Sequence, residues 1–370
     1  MRVLLIKTSS LGDIIHTLPA LTDALRANSK IRFDWVVEEG FAEIPRWHPA
    51  VDQVIPVAIR RWRKNMLQTW RNGEWHQFKQ QVHQREYDLI IDAQGLLKSA
   101  WLTRGFNAPV AGFSRKSIRE PIASYFYDRH ITVSPGLHAV ERIRQLFAQA
   151  LGYQLPKTMG EYSLHRERLA LDQPQSPYVV FLHGTTWPSK HWPQARWRAL
   201  AEQLSADNIA VRIPWGNTEE EARAHAIAEG LAHVQVLPRL NLTGVAAQIA
   251  GAQACVAVDT GLGHLAAALD VPCVSLYGPT LPGRVVLTAK GKCICVRAVR
   301  MQVQAIAIWI ALRTWVLNRY WRCLSRCLPR KHSRPSYHLT RRQHTDAVSL
   351  YSVQVLSLWW FAARFYAHCS

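Results

Sequence analysis

The chain has 370 residues, 48% of them hydrophobic and 19% charged, which is enough to bury two ordinary cores and too apolar for a disordered protein. No stretch gives about twenty uninterrupted apolar residues, and the opening MRVLLIKTSSLGDIIH has too short an apolar run for a secretion signal. The net charge of +19 points first to nucleic acid or an anionic membrane. It is unevenly spread, however: residues 284–370 hold 15 Lys and Arg against one acid, Asp346, whereas residues 1–283 hold 30 against 25. Cys293, Cys295, Cys323, Cys327 and Cys369 also lie beyond residue 283. A cytoplasmic chain with reduced thiols is expected.

In chain order, Arg2–Lys7 reads as a short buried strand, followed by a Ser/Gly loop and an apolar-periodic stretch through Leu25. Phe33–Val37, Asp88–Asp92 and Pro109–Phe113 read as further strands. Val140, Ile143, Leu146, Phe147 and Leu151 recur at helical spacing and predict an amphipathic helix over His138–Tyr153. Gln154–Pro177, with Pro156, Pro174 and Pro177, is the expected link between domains. The alternation then restarts with a strand at Tyr178–Leu182, a helix at Gln194–Leu204, a strand at Ala210–Trp215 and a helix at Glu219–Gly230. Val234–Leu237, Cys255–Val258 and Cys273–Tyr277 complete the set of strands. Two doubly wound α/β halves of this kind bind ligands in a crevice at the carboxyl ends of their strands.

Four loops at such strand ends carry the candidate chemistry. In KTSSLGDIIHTLP, Thr8, Ser9, Ser10 and Gly12 offer hydroxyl and N–H groups near a helix start, which suits an anion. Asp13 in the first helical turn is either a proton acceptor, ionised by the positive helix end, or simply part of a helix cap. In HGTTWPSKHWP, Thr185, Thr186 and Lys190 suit a diphosphate, or cap the next helix beside a solvated lysine. The acids of WGNTEEEARA complement a helix dipole, and one of them could hold a ribose hydroxyl. In VDTGLGHL, Gly261 and Gly263 permit close backbone approach after Asp259 and Thr260, and His264 is either a ligand contact or a satisfied polar residue at a helix start. The run IRRWRKNMLQTWRNG gathers Arg60, Arg61, Arg63, Lys64 and Arg71 around Trp62 and Trp70, as a solvated face or a patch for an anionic acceptor or membrane. Gln94 and Lys98 in DAQGLLKSA stand at another strand end of the same half.

Taken together, KTSSLGDIIHTLPALTDA, FDWVVEEGF, VIPVAIRRWRK, IDAQGLLKSA, REPIAS, HAVERIRQLFAQALGY, KHWP, PWG…EEEARA and VDTGLGHLAAALD…YGPT resemble the lipopolysaccharide heptosyltransferases of glycosyltransferase family 9, in family order over the first 280 residues or so. The resemblance implies a GT-B fold, two Rossmann-like domains with a central cleft. An acceptor-binding domain is expected over residues 1–153, a linker over 154–177 and a truncated ADP-heptose-binding domain over 178–283. It also implies inverting transfer of L-glycero-D-manno-heptose from an ADP-heptose donor to Kdo of Kdo2-lipid A, at the cytoplasmic face of the inner membrane, with no metal or further cofactor and no nucleic acid partner. By the same likeness Asp13 is the general base, and Thr185, Thr186 and Lys190 hold the diphosphate. Glu220 holds the nucleoside, and Asp259, Thr260, Gly261 and His264 form the donor-side loop. Ser10, Arg60, Arg63, Lys64 and Arg119 fall on the acceptor side. Rival readings are a transferase acting on a heptose-terminated acceptor, another sugar-nucleotide enzyme, or a basic nucleic-acid-binding protein. A dinucleotide oxidoreductase is disfavoured because KTSSLGD lacks the G-x-G-x-x-G fingerprint.

After YGPT the family pattern should continue with an acidic Asp-Pro, but Leu281 and Pro282 follow. The remaining residues, 284–370, are basic and rich in Cys and Trp, and are expected to be translated out of frame from about residue 281. Zinc binding by these cysteines, membrane contact by Ala305–Leu317 and nucleic-acid binding rank below that reading. An altered ending of this kind predicts lower stability and weaker activity than the family's.

Overall fold

The computed structural model describes residues 1–64, 69, 71–170, 177–277, 293–297 and 308. Its first half is an all-parallel sheet in the order β3-β2-β1-β4-β5-β6. These strands are β1 (Arg2–Ile6), β2 (Arg32–Glu38), β3 (Val51–Val57), β4 (Leu89–Asp92), β5 (Val110–Phe113) and β6 (Arg129–Ile131). The second half repeats that order as β12-β11-β10-β7-β8-β9. Here the strands are β7 (Tyr178–Leu182), β8 (Ala210–Ile213), β9 (Val234–Val236), β10 (Ala254–Val258), β11 (Cys273–Tyr277) and β12 (Cys293–Arg297).

The central strands are continuous apolar runs because helices cover both faces of each sheet. Val3, Leu4, Leu5 and Ile6 of β1 are fully buried, as are Val179, Val180 and Phe181 of β7. Each such side chain contributes about 1.5–3 kcal/mol by leaving water. In the first sheet, the strands that sequence pattern did not reveal, β3 and β6, are edge strands with exposed positions, and β3 carries Pro56, which an edge tolerates.

Helix Leu18–Ala27 packs on helix Ala139–Leu151. Between them, Arg144 Nε lies 2.6 Å from Asp23 Oδ2, with both side chains buried. A buried charge without its partner costs about 3–5 kcal/mol, so this pair fixes how the two helices meet. The residues after that helix form a strap tied to both halves. Pro156 O accepts from Arg144 Nη2 at 3.2 Å, and Ser163 Oγ accepts from Thr22 Oγ1 at 2.9 Å. Helix Arg166–Leu169 then sits on helix Leu242–Gly251, where Arg166 donates to the carbonyls of Ala250 and, at 2.6 Å, Ala252. A cation at those last carbonyls complements the helix end.

The second sheet takes its last strand from beyond the expected boundary at residue 283. β12 pairs parallel with β11, Cys293 opposite Cys273, and Ile308 is buried in the second core. The rest of 284–370 lies outside the described residues, as do Trp70, Pro174, the YGPT residues 278–280, the cysteines from Cys323 onward and, apart from Ile308, the stretch Ala305–Leu317. Among the described residues no helix is long and apolar enough to cross a membrane.

Candidate active site

Each sheet reverses its strand order beside its first strand, and loops leave the carboxyl ends there. In the first half, β1 delivers Lys7–Ser10 and β4 delivers Ala93–Leu96. Gln94 ties the two loops: its Oε1 accepts from Thr8 N at 3.0 Å and from Ser9 N at 3.1 Å. Asp92 braces the second loop from below. Fully buried, it accepts from Tyr127 OH at 2.7 Å, Gln94 N at 2.8 Å and Ser99 Oγ at 2.9 Å. Burial pushes its pKa up, and those hydrogen bonds oppose the shift.

Asp13 sits in the first turn of helix Leu11–Ile15, and its Oδ2 accepts from Ser10 N at 2.8 Å and Ser10 Oγ at 3.0 Å. It is thus a capping-box residue, as the simpler sequence reading had it. Capping engages one oxygen, however, and Asp13 also lines a cleft of about 210 Å³ together with Lys7, His16, Gln94, Arg119 and Arg142. Lys7 is buried and donates from Nζ to Ala93 O at 3.1 Å. Burial lowers its pKa, while the negative charges of Asp13 and Asp92 hold it up. Arg142 donates to Ser117 O at 2.5 Å and lies 5.0 Å over the Phe113 ring. Three cations around one carboxylate form a cavity suited to an anionic ligand whose hydroxyl meets Asp13.

In the second half, β7 leads to Thr185, Thr186 and Lys190, and β10 leads to Asp259 and Thr260. Lys190 Nζ is 2.7 Å from Asp259 Oδ2, and Thr185 Oγ1 donates to Asp259 O at 3.3 Å, so the two loops are joined. Thr186 is exposed beside them, and Thr260 is the N-cap of helix Gly261–Ala268. Glu220, in the first turn of helix Thr218–Ala228, folds back to accept from Gly216 N at 2.8 Å. Its carboxylate lies against Gly184, where a Cβ would stand 2.4 Å from Oε1. A side chain at position 184 would have to push the Glu220 carboxylate aside.

The two halves meet at these same loops. A Cβ on Gly261 would stand 2.7 Å from Leu11 Cβ, and one on Gly12 would stand 2.9 Å from the His264 ring. His16 Nε2 lies 3.1 Å from His264 Nδ1 across the junction. Burial holds both imidazoles neutral, His264 near pKa 4 and His16 well below its ordinary value. Glu43 of the first half caps helix Leu242–Gly251 through the Thr243 N–H, at 2.6 Å, and the Thr243 hydroxyl. Asp13 and the Asp259–Thr260 loop therefore share one junction.

Not all the acceptor-side residues converge on that cavity. Ser10 and Arg119 do, at the cap and the cleft wall. Arg60, Arg63 and Lys64 stand on helix Ile59–Lys64 instead. The Arg60 N–H donates to Glu38 Oε1 at 3.1 Å, and its guanidinium lies 5.8 Å over Phe41. Arg63 lines a separate pocket walled by tryptophans. Lys7, His16 and Arg142 were missed as site residues from sequence. Lys7 reads as a strand end, and the other two sit within helical patterns, so only the assembled fold brings them to Asp13.

Residues 75–305 match the sequence model of glycosyltransferase family 9 (heptosyltransferase). The chain is 67% identical over 284 residues to lipopolysaccharide heptosyltransferase 1 of Pseudomonas aeruginosa, covering 76% of this chain and 80% of that one. Among solved structures it resembles Escherichia coli heptosyltransferase WaaC with ADP, at a TM-score of 0.81 and 48% identity over 85% of this chain and 100% of the other. The same enzyme with ADP-2-deoxy-2-fluoro heptose superposes at 0.78, with 47% identity over 85% of this chain and 99% of the other. The two parallel-sheet halves are accordingly the GT-B arrangement.

Proposed function

This chain belongs to glycosyltransferase family 9, the heptosyltransferases, and from that premise we propose that it transfers L-glycero-D-manno-heptose from ADP-heptose to a Kdo hydroxyl of Kdo2-lipid A with inversion. Asp13 takes the proton of the attacking hydroxyl as the new bond forms to the anomeric carbon. The bond from that carbon to the diphosphate oxygen breaks, and ADP leaves with the electron pair. Thr185, Thr186, Lys190 and the N-terminal N–H groups of helix Gly261–Ala268 meet the charge that develops on the diphosphate. On this reading no metal is needed to neutralise it. Lys190 leaves or shares Asp259 for the diphosphate, freeing that carboxylate for sugar hydroxyls, and Glu220 takes the nucleoside.

The observation that carries the reading is the setting of Asp13, on the wall of a cleft lined by Lys7, Arg119 and Arg142, in a helix that touches the donor-side helix through Leu11 and Gly261. Kdo carries a carboxylate, and the three cations suit it. Because the acceptor is a lipid, the enzyme works at the cytoplasmic face of the inner membrane.

Asp13→Asn tests the assignment. The amide still accepts hydrogen bonds for the helix cap but cannot take the proton. The variant should lose about 10²–10⁴ in kcat while binding ADP-heptose like the wild type in calorimetry. A kcat within a few fold of wild type would remove Asp13 from the role.

A further inference from the structure

Residues 97–103 and 121–126 present an exposed face that the transfer chemistry does not use. Leu97, Trp101, Ile122 and Tyr125 are 43%, 53%, 62% and 73% exposed, and the two segments that carry them, 97–103 and 121–126, pack on each other. Large apolar side chains grouped in this way mark a contact surface. Each aromatic is paired with a cation: Arg104 lies 5.3 Å over Trp101 and 5.8 Å over Phe126, and Arg115 lies 5.9 Å over Tyr125. Trp101 and Arg104 also wall a pocket of about 670 Å³ completed by Trp62, Trp75, Arg63 and Lys79.

The charge of this face selects its occupant. Apart from Arg119, which lines the Asp13 cleft, residues 97–126 carry Lys98, Arg104, Arg115 and Lys116 against a single acid, Glu120. That acid accepts from the Leu97 N–H at 2.7 Å. A second copy of the chain would set these cations against their own kind. An anionic lipid surface satisfies both features, since rings settle at the headgroup level while the guanidinium groups meet phosphates. The face also borders the acceptor cleft along the chain. Leu96 lines the cleft and Leu97 the face, and Arg119 lines the cleft three residues before Ile122.

We propose that Leu97, Trp101, Ile122 and Tyr125, with Arg104 and Arg115, dock the protein on the anionic surface of a lipid bilayer, with the Asp13 cleft opening beside the contact. This deepens the reading of the acceptor as a lipid and rests on it for its purpose, although the test does not depend on transfer. The full chain would be sedimented with phosphatidylglycerol-containing vesicles and with neutral phosphatidylcholine vesicles, and hydrogen exchange would be followed across residues 97–126. Wild type should bind only the anionic vesicles and protect that segment. Ile122→Ser combined with Tyr125→Ser, two exposed positions, should weaken the partition by about tenfold. The pair should leave transfer to a soluble, deacylated acceptor unchanged. Binding of the double variant equal to wild type, no protection in 97–126 on bound vesicles, or lipid-free self-association that the double variant abolishes would each overturn the proposal. Protection without any transfer to the deacylated acceptor would instead sink the enzymatic reading and leave the docking surface standing.

Discussion

Asp13 illustrates how one side chain can close a helix and still face a substrate. Ser10 bonds only Oδ2, so the cap orients the carboxylate at the cost of one oxygen, and Lys7 and two arginines line the cleft with it. At the same junction His16 and His264 stay neutral because burial outweighs any gain from charging. His48 and His183 are likewise held near 4 by burial, with the charge of Arg223 adding to the effect at His183. Their folded values lie below the ordinary 6.5. The unfolded chain therefore binds more protons between pH 6.5 and 4. The stability these groups contribute is fully present above pH 6.5 and is lost as the pH falls through about 4, roughly 3 kcal/mol for each. Urea midpoints measured across that window should fall steadily with acidification, and less so in His264→Asn. A flat profile would show that these imidazoles titrate normally in the fold.

At the scale of elements, two glycines decide how the halves meet. The N-termini of helices Leu11–Ile15 and Gly261–Ala268 touch because neither Gly12 nor Gly261 carries a Cβ. Gly261→Ala would push a methyl into Leu11 and separate those helices. It should destabilise the protein by about 1–3 kcal/mol in urea unfolding and lower kcat/KM for both substrates. Unchanged stability would mean that the junction yields freely. Glycine spacing made this turn visible in the sequence, but the reason it must be glycine lies on Leu11, about 250 residues earlier in the chain. The same divide runs through the fold. β1, β7, β10 and β11 are buried along almost their whole length and announce themselves as apolar runs. β3, with Pro56 and exposed positions, and the three-residue β6 give no such pattern, because an edge strand is half solvent. Of the site, the loops were legible as motifs. The cations that complete the acceptor cleft, Lys7 and Arg142, were not, since a strand end and a helix face become neighbours only through sheet topology.

Across the described residues, one strand order is used twice, and helix starts that follow the strands of the two sheets touch. The strap through Arg166, the Glu43 cap on helix Leu242–Gly251 and the His16–His264 contact hold the halves at that junction. The likeness to the family runs past Gly283 to residue 305, and β12 extends the second sheet from within that interval. The expected break from the family at about residue 281 is therefore not where the likeness ends.

The central claim is the transfer itself. Incubating the full chain with ADP-heptose and either Kdo2-lipid A or its heptose-terminated derivative, then resolving the products by mass spectrometry and NMR, tests it most directly. One heptose should appear on Kdo2-lipid A, with anomeric configuration opposite to that of the donor, and none on the derivative. Heptose on the derivative instead, retention of configuration, or no transfer to either acceptor would contradict it.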